Sequence, residues 1–254
     1  MLQDIERKYD IGVTVSLTTT SYRVRHTHRT VKTLLAQSYR PAHVVLWLSE
    51  HAHLKDSGVT RDDVPDTLAE LEPHGLRIAW THNTGPFRKL LPAMREYGGV
   101  IVTADDDTLY PEDWLEKLVA AHLNDPACIC CYRGRRMRKA EDGRFLPYRK
   151  WRCEEFTSPS RYCFPTGKDG VLYPPGSLHD EVYNERAFME LCPTNDDIWF
   201  KAMSMLGNTL VKQVGHHRDF PVVFLSGVSG LFISRNMTRN DAYIQRVFST
   251  YQLA

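Results

Sequence analysis

Apolar and polar positions follow two periods along the first half of the chain. Residues 11–17 form a β-rich apolar run, closed by Thr18, Thr19, Thr20 and Ser21. Val31, Leu34 and Leu35 then recur at helical spacing within residues 27–38, and Pro41 stops that helix. Val44 to Leu48 predicts a second strand, and Lys55, Asp56 and Gly58 fall in a loop. Residues 61–72 predict a second helix, and residues 76–80 a third strand. Residues 86–96 are helix-like, with Leu90, Leu91 and Met94 on one side, until Gly98 and Gly99 break the pattern. Val100, Ile101 and Val102 make a fourth short strand. Pro111 then opens an amphipathic helix carrying Trp114, Leu115, Leu118 and Val119.

Strands alternating with helices predict an α/β fold, with a mostly parallel central sheet covered on both faces. Such sheets bind ligands in the crevice beyond the carboxyl ends of their strands. No GxGxxG follows the first strand and no GxxxxGK[ST] occurs, so a dinucleotide fingerprint or P-loop is not supported.

The second half loses the alternation. Residues 133–152 are strongly basic, with Arg133, Arg135, Arg136, Arg138, Lys139, Arg144, Arg149, Lys150 and Arg152. The stretch reads either as a site for an anionic acceptor or, slightly preferred, as a solvated loop balanced by acids elsewhere. Residues 157–176 are rich in Pro, Gly, Ser and aromatics. Residues 196–206 predict a helix through Trp199, Met203 and Leu206. Residues 234–253 predict a terminal helix, expected to pack on the core rather than lie on a membrane surface. No repeat or linker is evident, so one domain with an elaborated second half is expected.

The 254 residues suffice for a large core. Lys and Arg number 32 against 31 Asp and Glu, a net charge of +1, which gives no general footprint for nucleic acid. No run approaches a membrane span, and the charged residues 1–10 lack the apolar core of a secretory signal. Six cysteines in an unsignalled chain are expected to be free thiols. Cys128 and Cys131 stand at CxxC spacing, but a buried strand over residues 127–132 is preferred to half a zinc site.

The chemistry-bearing segment is Asp105-Asp106-Asp107 directly after the fourth strand. Three adjacent carboxylates repel one another and call for a counter-cation or water. Carboxylates together with phosphate oxygens suit Mg²⁺ or Mn²⁺. In extended backbone, residues 105 and 107 would share one side. A mere helix cap needs one Asp, and Glu112 and Asp113 already place charge in the first turn.

The strand followed by Asp-Asp-Asp-x-x-Tyr-Pro resembles the DxD motif of GT-A glycosyltransferases of a bacterial branch near family 2. Other segments resemble that branch in order: Val15 to Thr19, Gln37 to Pro41 with Val45 to Ser49, Arg88 to Ala93, Thr166 to Gly176, and Asn195 to Phe200. The resemblance covers about residues 11–215. It implies a single GT-A domain, Rossmann-like, with a nucleotide-binding half over about 11–125. An acceptor-binding half with the C-terminal helix would occupy about 126–254.

It further implies transfer of a hexose from a nucleotide-sugar, expected to be UDP-linked, to a glycan or lipid-linked acceptor in bacterial surface polysaccharide synthesis. The setting would be cytoplasmic, with peripheral contact at the inner membrane as an option, and the cofactor Mn²⁺ or Mg²⁺. Asp107 and Asp105 would ligate the metal, and Asp105 and Asp106 would contact ribose, sugar or the metal's waters. Thr18, Thr19 and Arg23 would lie near base and ribose. Lys89 would approach the diphosphate, unless it is a solvated helix lysine. Asp197 would be the base of an inverting reaction, with Asp196 holding the acceptor, although Asn195 or Asp196 also suits a helix cap. Gly170 belongs to the glycine-rich segment, which departs from the pattern at Lys168-Asp169, where another Gly is expected. His217 or His216 would complete the metal site, with His179 a weaker candidate. The alternatives are a haloacid-dehalogenase-like phosphatase, disfavoured by Leu109 two residues past the second Asp, and a non-catalytic binding relative.

Overall fold

The computed structural model describes residues 11–153, 155–215, 219–223 and 237–253. The chain opens on β1 (Val13–Thr18), α1 (Val24–Leu35), β2 (His43–Leu48), α2 (Asp66–Ala69) and β3 (Leu76–Trp80). It continues through α3 (Leu91–Tyr97), β4 (Val100–Thr103), α4 (Trp114–Asn124), β5 (Ile129–Cys131) and β6 (Gly134–Arg136). The remainder is β7 (Cys163–Pro165), β8 (Val171–Tyr173), α5 (Glu185–Leu191), α6 (Asp196–Leu206), β9 (Val211–Gln213) and α7 (Met237–Thr250).

Among the described residues, seven strands form one sheet in the order β3-β2-β1-β4-β8-β5-β9, and β6 and β7 form a separate antiparallel pair. β1 pairs in parallel with β2 and β4, and β2 with β3, as the alternating pattern predicts. β8 enters the sheet antiparallel between β4 and β5, and β5 pairs in parallel with β9. An antiparallel strand needs no crossover helix, so no helical period announces it in the sequence.

Two predicted helices are shorter than their apolar pattern. Residues 61–72 yield only α2, with a 3₁₀ turn at Glu72–His74, because Pro65 and Pro73 punctuate the stretch. Residues 86–96 divide into a 3₁₀ turn, Gly85–Lys89, and α3, whose second residue is Pro92. The division leaves Arg88 and Lys89 at a turn beside β1 instead of on a helix face.

The two faces of the sheet are covered by two buried apolar clusters. One gathers Val13, Val15, Leu17, Val31, Leu34, Trp114, Leu115 and Leu118. The other gathers Phe87, Phe188, Trp199, Phe200, Val247 and Phe248. α7 is seated in the second through Tyr243, Ile244, Val247 and Phe248, with Arg239 and Arg246 turned to solvent. The cysteines are free, and Cys128, Cys130 and Cys131 are buried in and beside β5. Among the described residues no helix is long and apolar enough to cross a membrane.

Candidate active site

Register places four chain segments at one edge of the sheet. Thr103 at the end of β4 faces Val171 at the start of β8, and Val171 faces Cys131 at the end of β5. The acidic turn after β4, residues 166–170 before β8, and Arg133 after β5 therefore meet beyond the same strand ends, next to the end of β1. They surround a cleft of about 430 Å³. Thr18, Thr19, Arg23, Lys89, Asp105, Asp106, Asp196 and Asp197 all line it, so residues far apart in sequence converge here.

The chain turns at Asp106 and Asp107, so the extended backbone that would align residues 105 and 107 is not present. Instead Asp106 and Asp107 share the guanidinium of Arg23, at 2.8 Å from Asp106 and in direct contact with Asp107. Burial opposes the charge on Arg23, but the two carboxylates outweigh it and raise its pKa. Asp106 also accepts a 2.5 Å hydrogen bond from the Thr19 hydroxyl, and Thr30 donates to its carbonyl. Thr18 turns from the acids and donates to the Trp47 carbonyl.

Asp105 faces the other way. Its carboxylate accepts from the Asp169 amide at 3.2 Å, and its own amide donates to the Tyr110 hydroxyl. Burial pushes its pKa up to about 7; Lys89 opposes the shift and the Asp107 and Asp169 carboxylates add to it. Burial is thus the main cost of ionising Asp105, and Lys89 offsets only part of it.

Lys89 is mostly withdrawn from solvent and ion-paired, not a solvated helix lysine. Its ammonium lies 3.0 Å from Asp196, and Asp196, Asp197 and Asp105 together outweigh burial and raise its pKa. Asn195 caps α6 by accepting from the Ile198 amide, and its side chain is held by Asn240 of α7 at 2.8 Å. That cap leaves both following aspartates to the cleft. Asp197 accepts from the Gly167 amide at 2.9 Å. Burial and the Asp196 carboxylate push Asp197 up to about 7 against the pull of Lys89.

The glycine-rich segment divides its tasks. Gly170 has φ +112° and lies against Trp114, where a Cβ would sit 2.7 Å from the ring; it is in the wall behind the cleft and does not line it. Asp169 adopts φ +70°, the backbone region that explains why a glycine was expected there. The residue that approaches the acidic groups is Gly167. A Cβ on it would lie 2.5 Å from the Lys89 ammonium and 2.6 Å from an Asp197 oxygen.

The histidine expectations fare differently. His179 accepts from the Glu181 amide, capping the turn at Asp180–Tyr183, and does not line the cleft. His216 and His217 lie outside the described residues. The basic stretch is divided as well: Arg133 and Arg135 line the cleft. Arg133 lies 3.0 Å from Asp219, and Arg135 stacks on Tyr148. Farther along, Arg136 stacks on Phe156 and Lys139 on Phe145, while Arg144 pairs with Asp142.

Sequence reasoning passed over a buried ion pair under the cleft. Arg88 donates to Asp56 at 2.9 Å and to the Thr19 carbonyl at 3.1 Å, with side-chain exposures of 2% and 5% for the pair. Asp56 also takes the amides of Ser21 and Gly58 and the Asn83 side chain. Its sequence signals were slight: Asp56 stands in the loop before Gly58, and Arg88 opens the segment that resembles the family.

The arrangement defines an α/β protein with an acid–base cleft at the carboxyl edge of its sheet. The model of glycosyl transferase family 2 matches residues 27–178, well over half of the chain, and the chain belongs to that family. No curated protein matches it. Among solved structures it is similar to S. aureus TarS 1-349, at 12% identity and a TM-score of 0.51, covering 83% of this chain and 59% of that one. The same protein in complex with UDP-GlcNAc gives 13% identity, a TM-score of 0.52, and coverage of 83% and 57%. The 4-diphosphocytidyl-2C-methyl-D-erythritol synthase of Anaerococcus prevotii gives 14% identity and a TM-score of 0.50, covering 93% of this chain and 99% of that one. The chain thus spans less than two thirds of the TarS fragment. At these identities the likeness is one of fold, and the GT-A architecture implied by the sequence is the one found. The same fold serves a synthase of a different name, so activity has to be argued from the site.

Proposed function

We propose that the protein transfers a hexose from a nucleotide-sugar, UDP-linked, to a glycan or lipid-linked acceptor, with inversion at the anomeric carbon. The observation that carries this reading is the convergence of Asp105, Asp106, Asp196, Asp197, Lys89 and Arg23 on one cleft at the strand ends. The donor would lie over the half formed by residues 11–125, with base and ribose near Thr18, Thr19 and Arg23. The acceptor would enter from residues 126–254, past Arg133 and Arg135. Synthesis of a bacterial surface polysaccharide on the cytoplasmic side is the setting this chemistry suits. Membership of family 2 supports the class of reaction, and TarS, whose structure was solved with UDP-GlcNAc, supports a uridine nucleotide.

A divalent cation fits this donor set. Among the described residues no group of three or more His, Cys, Asp or Glu side chains could enclose one by itself. Mg²⁺-type sites need only one or two carboxylates when substrate phosphates and water complete the shell. Asp105 supports that role, because its carboxylate lines the cleft and burial disfavours its charge unless a cation pairs with it; Asp107, the second candidate, is paired with Arg23 and does not line the cleft. Bound there, Mn²⁺ or Mg²⁺ supplies Lewis-acid stabilisation of the charge that grows on the departing nucleoside diphosphate.

The protein's own groups do the rest. Asp197 takes the proton of the acceptor hydroxyl as its oxygen attacks the anomeric carbon, a role that contributes about 10²–10⁴-fold. Its pKa near 7 suits a base that works at neutral pH. The Gly167 amide fixes the orientation of that carboxylate. The test is hydrolysis and transfer with UDP-hexoses in Mn²⁺, comparing the wild type with Asp107→Ala. Turnover in the first and loss by about 10²-fold or more in the second is expected for removal of a charged group acting on the transition state. A wild type that neither binds nor turns over any nucleotide-sugar refutes the reading.

A further inference from the structure

Lys89 lies on the cleft wall where a diphosphate would pass, yet its ammonium is already committed. It sits 3.0 Å from Asp196, and its side chain is 12% exposed. The absence of a side chain at Gly167 is what lets this ammonium and the Asp197 carboxylate approach the same point. One Cβ there would lie within 2.6 Å of both. The Gly167 amide meanwhile donates to Asp197. A short turn, a glycine and the first turn of a helix are thereby closed into one unit around two carboxylates.

We propose that Lys89 is a positioning residue for Asp197, holding the Asp196–Asp197 pair against Gly167 so that Asp197 stays available to the acceptor's proton, and that it does not bind the donor diphosphate. The inference deepens the glycosyltransferase reading and rests on it for the acceptor's identity. Its electrostatic content does not need turnover to be seen. The charged and titratable groups acting on Asp197 and Lys89 are Asp196 beside them on α6, Asp105 after β4, Tyr173 of β8 and Tyr148 of the basic stretch. Lys89 is the cation among those named for Asp197. An opposite charge at such range moves a carboxylate by about 1–3 pH units.

The experiment compares wild type, Lys89→Met, Lys89→Arg and Gly167→Ala. UDP affinity is measured by calorimetry with Mn²⁺, and Asp197 titration by carboxyl ¹³C NMR, with Asp197→Asn assigning the signal. Lys89→Met is expected to raise the Asp197 midpoint by about one pH unit or more. It should leave the UDP Kd within about twofold, and Lys89→Arg should restore part of the midpoint shift. Gly167→Ala keeps every charge and carries the test if Lys89→Met does not fold. It should also raise the Asp197 midpoint, lowering kcat at pH 7 with the donor KM unchanged. An unmoved midpoint together with a UDP Kd weakened about tenfold or more (about 1.4 kcal/mol) makes Lys89 a diphosphate ligand and overturns the proposal. Failure of the glycosyltransferase reading would instead show as a wild type that does not bind UDP at all, whatever the NMR midpoints do.

Discussion

Replacing Arg88 with Met tests how the floor of the cleft is held. The methionine keeps most of the buried volume and removes the charge. Asp56 then retains its donors from Ser21, Gly58 and Asn83 but loses its 2.9 Å partner, in a site where neither side chain exceeds 5% exposure. Breaking a buried pair from one side costs about 3–5 kcal/mol, because the remaining charge is left uncompensated. For a domain of this size about 3 kcal/mol corresponds to a fall of roughly 6–12 °C in Tm. The sign of its pH dependence follows from Asp56, for which burial opposes ionisation but the Ser21 amide, Arg88 and the Gly58 amide win and hold its pKa below the usual carboxylate value. That stabilisation is present above the unfolded-state pKa and is lost as pH falls through the folded one. The deficit of Arg88→Met should therefore be large at pH 7 and shrink in acid. A double-mutant cycle with Asp56→Asn, followed by urea unfolding, isolates the pair. The lost bond to the Thr19 carbonyl also loosens the strand end whose hydroxyl holds Asp106, so UDP affinity should weaken severalfold. A loss below about 1 kcal/mol, the range of a solvent-screened surface pair, would refute the reasoning.

Three further outcomes follow from the same structure. The kcat/KM profile with saturating Mn²⁺ should rise through an acidic limb near pH 7, set by Asp197, and Asp197→Asn should remove the limb together with most of the activity. Gly170→Ala should lower stability by about 1–3 kcal/mol in urea unfolding, since its Cβ would meet Trp114 and its φ of +112° suits glycine alone. Burial lowers Lys201 to about 8, so the folded chain binds fewer protons than the unfolded one between roughly pH 8 and 10.5. Wild-type Tm should rise across that window from this group, a gain that Lys201→Met should lack in calorimetric scans.

The alternation of apolar runs made β1 to β4 and their parallel pairing legible, because β1, β2 and β4 are almost wholly buried and the stretches between strands are long enough for a crossover. β8 was illegible for the opposite reason. Three residues inserted antiparallel need neither a crossover nor a long apolar run. The acidic turn and the Asp196-Asp197 corner could be read directly, since adjacent carboxylates have few structural uses. Their partners could not. Whether Lys89 is solvated depends on Pro92 starting a new helix and leaving the lysine in a turn. Which glycine approaches the acids depends on register: Gly167 and Gly170 look alike in sequence, but one faces Asp197 and the other an indole.

The hydrogen bond between Asn195 and Asn240 gives the last helix a second duty beyond covering the core. Asn195 is the cap whose geometry aims the next two side chains, so α7 is wired to the corner where Asp196 and Asp197 meet the cleft. Loss of the Asn240 side chain alone would therefore reach the acidic corner forty-five residues upstream, while the apolar seat of α7, made by Tyr243, Ile244, Val247 and Phe248, stayed in place.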